Sequence, residues 1–491
     1  MPRTLSPFLI LTVSLFYSCN KQTDTAASAQ KNILAQVGDK IITVNDFIKR
    51  CEYVPRPVYC KGDNYIHKKI ALNSLVAEKL LAIEFEKLNY TITESQKFLI
   101  QGQKEQAMRQ LMLKRFGYDK VKIDTNHIVK LSKLSKREYQ MRFISLNKKY
   151  KQKIEGFSGN QKLNDLVLML DKNIEIYNKT VNIDENMIKE VEEILFYGNQ
   201  NVNTLYGPFY AGINNILYFE IQGWTNHADI TDKQKQDTWD QVKHKYMEKM
   251  AGKFYSKYVA ELMKKKTIEY DPEIFELFSI KLGKIYLIEK NRKEAAIENR
   301  IWERKKETEA ASFEDIRKMK NSVILTYDNK QYNVLELLDL IKKHPLVFRN
   351  KTITPEMFTN ELKYAVADLF RDTHITEKAY TLNLDNDIRV KNIEKKWDDY
   401  IKSSSIKKIF GDDLVSNIKP TTRLIERVDS LQNLYSDIIK IDTDKFEIIN
   451  LSKVDMNVIY SNQPYAKLEP DFPIITDDHI LNYGKKVSFN D

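Results

Sequence analysis

At 491 residues the chain is too long for one ordinary hydrophobic core, and its 42% hydrophobic and 30% charged residues suit a soluble, helix-rich protein of several domains. Only 14 Gly and 12 Pro argue against a large all-β architecture. The net charge of +10 is spread over 78 basic and 68 acidic residues that interleave, so the clustered Lys/Arg of a nucleic-acid binder is missing and no nucleic-acid partner is expected.

Residues 1–18 carry one basic side chain, Arg3, and then an apolar run over 8–17. That run is too short to span a bilayer and has the proportions of a signal peptide. It ends at Ser18-Cys19, after which the chain turns polar. This resembles a bacterial lipoprotein signal, in which cleavage frees the cysteine for diacylation. Cys19 is then the lipidation site and residues 19–32 a tether. Phe16 stands where the pattern prefers Leu, and an ordinary secretory signal with an incidental cysteine is the competing reading. Asn20 resembles the outer-membrane sorting choice of Gram-negative lipoproteins. The implied location is the cell envelope, lipid-anchored at the outer membrane and facing the periplasm.

Residues 33–52, ILAQVGDKIITVNDFIKRCE, read as a strand, a Gly38-Asp39 turn, a second short strand and a helix. Thr43 and Asp46 supply its capping box. A second helix is expected over 72–89, LNSLVAEKLLAIEFEKLN. Cys51 and Cys60 flank EYVPRPVY. In an exported compartment a bridge between them would contribute roughly 2–3 kcal/mol, and two buried thiols is the alternative. Two thiols without a neighbouring His pair make no zinc set, so no metal is expected. The strings VGDKIITVNDF and LVAEKLLAIEFEKL resemble the N-terminal helical module of the SurA/PrsA-type periplasmic chaperones. The resemblance covers 33–115 and is weaker over 137–270 and 322–415. It implies a helical peptide-binding body built around one or more parvulin-type peptidyl-prolyl isomerase domains.

A capping box at Thr93 and Gln96 opens a helix to about Phe116, and a short helix follows over 125–135. Residues 138–146, EYQMRFISL, alternate as a strand. Residues 160–178 and 184–197 read as helices, and 205–224 as a strand pair with an Asn214-Asn215 turn. Strand, helices and returning strands in this order resemble a parvulin domain. That family twists a prolyl bond without a cofactor, in a dry apolar pocket beside a small polar cluster, usually two His with a Cys or Asp. Here the first-strand R-H-I-L reads Arg142-Phe143-Ile144-Ser145, and the last-strand H-I-I reads Leu217-Tyr218-Phe219. Both imidazoles are missing, and no catalytic residue is assigned. His227 is the nearest histidine and is expected in a surface loop. Phe143, Phe209, Tyr210, Tyr218, Phe219 and Trp224 remain as an aromatic set suited to extended peptide. For at least half of them, packing in the domain's own core is the competing account.

Residues 230–266 read as a long helix with a stripe of Trp239, Val242, Tyr246, Met250, Phe254 and Leu262. The resemblance implies that this helix runs back onto the N-terminal module. Asp271-Pro272 opens a short helix to Leu282, and 286–320 reads as a charged helical spacer. Residues 323–342, VILTYDNKQYNVLELLDLIK, then repeat the first unit, with an Asp328-Asn329 turn and a helix entered through Asn333 and Glu336. Residues 362–383 answer to 72–89 if one extra turn is allowed. After a helix over 388–410 come a short helix near 421–434, weak strands, and an extended tail pinned by Tyr465 and Phe472.

The expected fold is therefore α+β and predominantly helical, with two related hairpin-plus-helices modules flanking a degenerate parvulin-like α/β domain. The boundaries are 33–136 for the N-terminal module, 137–228 for the parvulin-like domain, 229–283 for helices returning to the N-terminal module, 284–321 for the spacer, 322–415 for the second module and 416–491 for a C-terminal extension. The resemblance implies a chaperone that binds unfolded or nascent envelope proteins, without a cofactor. An active prolyl isomerase and a structural lipoprotein subunit of an outer-membrane complex are the alternatives.

Overall fold

A computed structural model of the chain describes residues 32–154, 162–171, 173–185, 187–211, 215–298 (288–298 by backbone alone), 315–350, 352–409, 419–452 and 456–489. Cys19, the leader, most of the tether, Asn214 and the middle of the charged spacer lie outside the described residues. The protein is α+β and mainly helical. It divides into two compact units, Met1–Lys114 with Ser256–Asp491, and Arg115–Tyr255. No helix among the described residues is long and apolar enough to cross a membrane.

The elements run as follows. Strands β1 (Ile33–Val37) and β2 (Lys40–Thr43) lead into helices α1 (Val44–Glu52), α2 (Tyr65–Lys87) and α3 (Glu94–Phe116). Then come α4 (Thr125–Ser135), β3 (Arg137–Asn147), α5 (Leu163–Leu170), β4 (Tyr177–Val181), α6 (Lys189–Glu192, continued by a π turn Glu193–Tyr197), β5 (Leu205–Ala211), β6 (Asn215–Asn226) and α7 (Asp232–Leu262). The chain goes on through β7 (Ile268–Tyr270), α8 (Pro272–Glu298), β8 (Val323–Tyr327), β9 (Lys330–Asn333), α9 (Val334–Lys343) and α10 (Pro355–Thr381). It closes with α11 (Ile388–Ile409), α12 (Thr422–Leu434), β10 (Ile439–Ile441), α13 (Thr443–Ile448) and β11 (Lys485–Lys486).

Two hairpins in the first unit fold alike to the level of single hydrogen bonds. In one, Ile33 pairs with Thr43 and Val37 with Lys40, with a bulge between Ile33 and Ala35. In the other, Val323 pairs with Asn333 and Tyr327 with Lys330, with the bulge between Val323 and Leu325. Each second-copy residue thus lies 290 positions after its counterpart, as 323 follows 33 and 333 follows 43. The turns solve the same bend differently. Gly38 supplies a φ of 61°, while Asp328 and Asn329 take 50° and 67°, the left-handed region that Asx residues tolerate best after glycine. Both following helices open on a reciprocal capping box. Thr43 Oγ1 accepts the Asp46 N–H at 3.0 Å, and Asn333 Oδ1 accepts the Glu336 N–H at 2.9 Å. Just beyond the second helix of each copy stands an asparagine at φ 55°, Asn89 and Asn383, four residues out of the 290 register. That is the extra turn the sequence requires.

Each hairpin also gains a third strand that the sequence reading leaves unassigned. Strand β10 pairs with β1 through Ala35–Ile441 and Val37–Ile439, and β7 pairs with β8 through Leu325–Tyr270 and Tyr327–Ile268. Beyond each added strand an aspartate opens a helix whose fourth following residue is a buried phenylalanine. Asp442 precedes Phe446, and Asp271 precedes Phe275.

This pairing corrects two expectations. Residues 268–298 do not return to the N-terminal hairpin: β7 extends the second hairpin, and Phe275, Phe278 and Leu282 pack with Leu362, Val366 and Leu369 of α10. The C-terminal stretch does bury Tyr465 and Phe472 as expected, but it is no separate extension, because Ile439, Ile441, Phe446, Phe472, Ile475 and Tyr483 lie in one core with β1, β2, α1 and α2. The helix expected to end at Leu282 continues as α8 to Glu298. In the stripe of α7 only Val242 is buried, against Ile128, Leu131 and Leu134 of α4, and Phe254 is 37% exposed. Likewise, the helix expected over 160–178 stops at Leu170, and Tyr177 begins a strand.

A buried charge network fastens α11 and the tail to the first hairpin. Lys396 Nζ lies 2.9 Å from both Asp46 Oδ1 and Glu469 Oε2, and Asp399 bridges Lys40 and Lys79 at 2.8 and 2.9 Å. Burial raises the Asp46 carboxyl, but Lys396 and the Thr43 hydroxyl more than offset it and hold it well below the usual carboxylate range. Asp399 is likewise lowered by Lys79 and Lys40 against its burial. A depressed folded-state pKa contributes stability that is present above the unfolded value, near 4, and is lost as pH falls through the folded one. Urea melts are therefore expected to show unfolding free energy flat from about pH 7 to 5 and falling steadily below about pH 4, with a shallower fall in a Lys396→Met variant.

Candidate functional site

In the unit Arg115–Tyr255 four strands stand in the order β4-β3-β6-β5, every neighbour antiparallel. Side-chain alternation gives the sheet two distinct faces. On one, Ile144, Leu146, Ile216 and Tyr218 pack against Leu163, Leu166, Val167 and Leu170 of α5. Glu220 lies on this face and is 4% exposed, and its Oε1 accepts the Leu163 N–H at 2.5 Å. A strand carboxylate thereby caps the first turn of the helix, with Arg142 Nη1 3.9 Å from the other oxygen.

The other face carries an aromatic row. Phe143 on β3 is paired with Tyr177 on β4 and with Phe219 on β6, and Phe219 is paired with Tyr206 on β5. Four aromatic side chains therefore cross all four strands in register. Phe143 stacks on Tyr177 with centroids 5.5 Å apart and 29° between planes, and Tyr206 stacks on Phe219 at 5.1 Å and 21°. Phe209 joins at 5.8 Å from Phe219. Tyr206 and Phe209 are three residues apart and would fall on opposite faces of a regular strand. The register shift between them, over Gly207-Pro208, brings both to this one. A side chain at Gly207 would meet the Tyr218 ring at 2.6 Å, which is why glycine stands there.

The row is covered at one flank and open at the other, and Phe143, Tyr206 and Phe209 pack against the core around Phe219. Phe219 is fully buried, Phe143, Tyr206 and Phe209 are half-buried, and Tyr177 is 45% exposed. On one side of the row Tyr139, Met141 and Ile221 are covered by Val191, Leu195 and Phe196 of α6 and its π turn. On the other side Ser145, the next residue of β3 on this face, is exposed. Flat, half-exposed rings suit apolar side chains and proline rings, at roughly 0.5–1.5 kcal/mol for each aromatic contact beyond area burial. Phenols are the row's only titratable groups. Tyr177, hydrogen-bonded to Glu175, titrates above its ordinary range, and the Tyr206 hydroxyl accepts the Asn201 N–H at 2.9 Å. Apart from these two hydroxyls the row presents aromatic carbon alone.

No protein-family model, curated protein or solved structure matches the chain. The site therefore rests on its own geometry.

The aromatic residues singled out in the sequence divide between the faces. Phe143, Phe209 and Phe219 belong to the row. Trp224 shares their face but lies at the covered end, 5.9 Å from Tyr139 and beneath the Arg137 guanidinium at 4.3 Å. Tyr218 points into the opposite core, and Tyr210, 55% exposed, is in no groove with the row because strand alternation turns it to Tyr218's side. The cross-strand partner of Phe143 on β6 is another phenylalanine, Phe219.

His227 lies off the row, 3.3 Å from Glu138, at a polar cleft of about 220 Å³ whose lining charges include Lys136, Asp184 and Lys245. Tyr177 and Tyr206 are row members that the sequence reading missed. Tyr206 was legible as part of an alternating strand, whereas Tyr177 was concealed in a stretch read as helix.

Cys51 and Cys60 are both fully buried and stand as thiols, the alternative to a bridge. Burial pushes the Cys51 thiol up to about 12. Among the described residues no group of three His, Cys, Asp or Glu is arranged to hold a metal ion.

Proposed function

We propose that the protein is a cell-envelope chaperone, lipid-anchored through Cys19, that holds extended stretches of unfolded or nascent client polypeptide. In this reading the unit Arg115–Tyr255 contains a degenerate parvulin-like domain, and the two hairpins with their helices are related SurA-like modules of the other unit. The observation that carries it is the aromatic row from Tyr177 to Tyr206, partly exposed around the buried Phe219 and without imidazoles. An isomerase that has lost its polar cluster keeps an apolar seat for peptide. The twofold occurrence of the hairpin unit at single-residue register supports the same reading, because the resemblance to the chaperones rests on that segment.

Holding clients in this way needs no cofactor and no ATP, and each contact is weak, so clients are released by dissociation alone. The test is suppression of aggregation of a reduced, unfolded client by the mature chain. A Phe143→Ser/Phe209→Ser double variant is expected to lower suppression several-fold, while the sheet survives because neither ring is fully buried. A proline-peptide assay is expected to show no acceleration above background. Acceleration would instead favour the isomerase. A stable stoichiometric envelope partner together with no suppression by the unaltered chain would replace the reading with that of a structural subunit.

A further inference from the structure

The sheets built on the two hairpins differ at one edge. In the first sheet the outer side of β10 is covered by β11, a parallel strand from the chain's own tail, with Lys440 opposite Lys485 and Ile441 opposite Lys486. The register sets the Lys485 N–H on the Ile439 carbonyl, and the Val487 N–H donates to the Ile441 carbonyl at 3.0 Å. One step further, the Phe489 N–H donates to Asp442 Oδ2 at 3.0 Å, while Asp442 Oδ1 caps α13 by accepting the Lys445 N–H.

In the second sheet β7 stands in the place of β10. Ile268 corresponds to Ile439, Tyr270 to Ile441 and Asp271 to Asp442. The bonds toward the hairpin are matched: Asp271 N–H donates to the Ile324 carbonyl at 3.0 Å as Asp442 N–H donates to that of Leu34 at 2.9 Å. The Ile268 and Tyr270 backbone groups therefore point outward, as those of Ile439 and Ile441 do. Among the described residues no strand lies against them. Asp271 uses Oδ1 to accept the Glu273 and Ile274 N–H groups, and its Oδ2 takes no hydrogen bond among the described residues.

We infer that the open edge of β7 binds an extended segment of a client polypeptide by parallel strand addition. The bonding groups would be the Ile268 carbonyl, the Tyr270 N–H and carbonyl, and Asp271 Oδ2. The covered edge shows what such a segment needs. Gly484 lies over Ile439 with φ 69°, and a side chain there would meet the Ile439 Cγ2 at 2.8 Å. The counterpart of Ile439 is again an isoleucine, so the segment has the form Gly-x-x-apolar, read chiefly through its backbone. An edge of three residues is short enough to remain open without recruiting other sheets. This inference rests on the client-binding reading and adds a second contact to it, in the other unit.

The probe is a labelled synthetic peptide, LNYGKKVSF, which copies residues 481–489. It is added to the full mature chain and followed by fluorescence anisotropy and amide hydrogen exchange. The expected result is slowed exchange at the Tyr270 N–H, which is fast without peptide. N-methylation at the peptide position of Lys485 or Val487 weakens binding at least about tenfold, whereas N-methylation at that of Lys486 changes it less than about twofold. Asp271→Asn, which keeps the helix cap and loses the second acceptor, also weakens it.

The inference is overturned if the three methylated peptides bind alike or if the Tyr270 N–H is already protected in the free protein. It is also overturned if the peptide only exposes the Ile441 N–H by displacing β11. Aggregation suppression by the unaltered chain is measured separately, so failure at the edge and failure of the chaperone reading give different results.

Discussion

Removal of residues 435–491 is expected to unfold the N-terminal hairpin and α2 while the four-stranded sheet of the unit Arg115–Tyr255 persists. The deleted segment contains β10, which pairs with the edge of β1 opposite β2. It also contains Ile439, Ile441, Phe446, Phe472, Ile475 and Tyr483, all buried in the core that holds Phe47 and Leu80. At about 1.5–3 kcal/mol for each large apolar side chain, their combined loss rivals the whole stability of a typical domain, about 5–15 kcal/mol. Polar anchors go with them: the Tyr483 hydroxyl donates to Asn73 Oδ1, and Asn73 Nδ2 donates to the Asp478 carbonyl at 2.8 Å. Hydrogen exchange reads the outcome. The amides of β1 and β2 lose protection, whereas those of β3 and β6 keep theirs. Undiminished protection at Val37 and Ile42 in the truncated chain would mean that the tail is dispensable to that core.

Arg50→Met is expected to cost about 3–5 kcal/mol, the largest effect of any single substitution considered for the first unit. Arg50 and Glu78 are both fully buried, with Nη2 2.7 Å from Oε2 and Nη1 3.3 Å from Oε1. Nη2 also donates to the Asp471 carbonyl at 2.7 Å, so one guanidinium joins α1, α2 and the tail. Burial alone would lower the guanidinium pKa, and the Glu78 carboxylate more than reverses that. Methionine fills most of the volume but leaves the carboxylate without its main partner, and the cost of the variant is chiefly that stranded charge. The double variant Arg50→Met/Glu78→Met removes it and should regain most of the loss. Denaturant melts of the two variants decide the matter. Equal destabilisation in single and double variants would show that packing, not the unpaired charge, sets the cost.

Local chemistry made much of this fold readable. The capping boxes at Thr43 and Asn333 and the turns at Gly38 and Asp328 depend on residues within a few positions of one another, so both copies of the hairpin, and the extra turn in the later one, could be read directly. Strand alternation marked β3, β5 and β6.

What escaped the sequence depends on which distant segments meet. The triplets Ile439–Ile441 and Ile268–Tyr270 are too short to announce themselves as strands, and they exist as strands only because a hairpin edge offers them hydrogen bonds. Tyr177 reads as the end of a helix until β3 pairs with it, and the bulge at Gly207-Pro208 alone decides that Phe209 joins Tyr206 on one face while Tyr210 turns to the other. The sequence by itself determined the repeated hairpin and the helical character, both properties of neighbouring residues. Only the tertiary structure decided that the tail completes the first hairpin, that residues 268–298 complete the second, and that four aromatic rings fall into one row, because register and pairing are set by partners outside the local stretch, from tens of residues away in the row to some four hundred in the first hairpin.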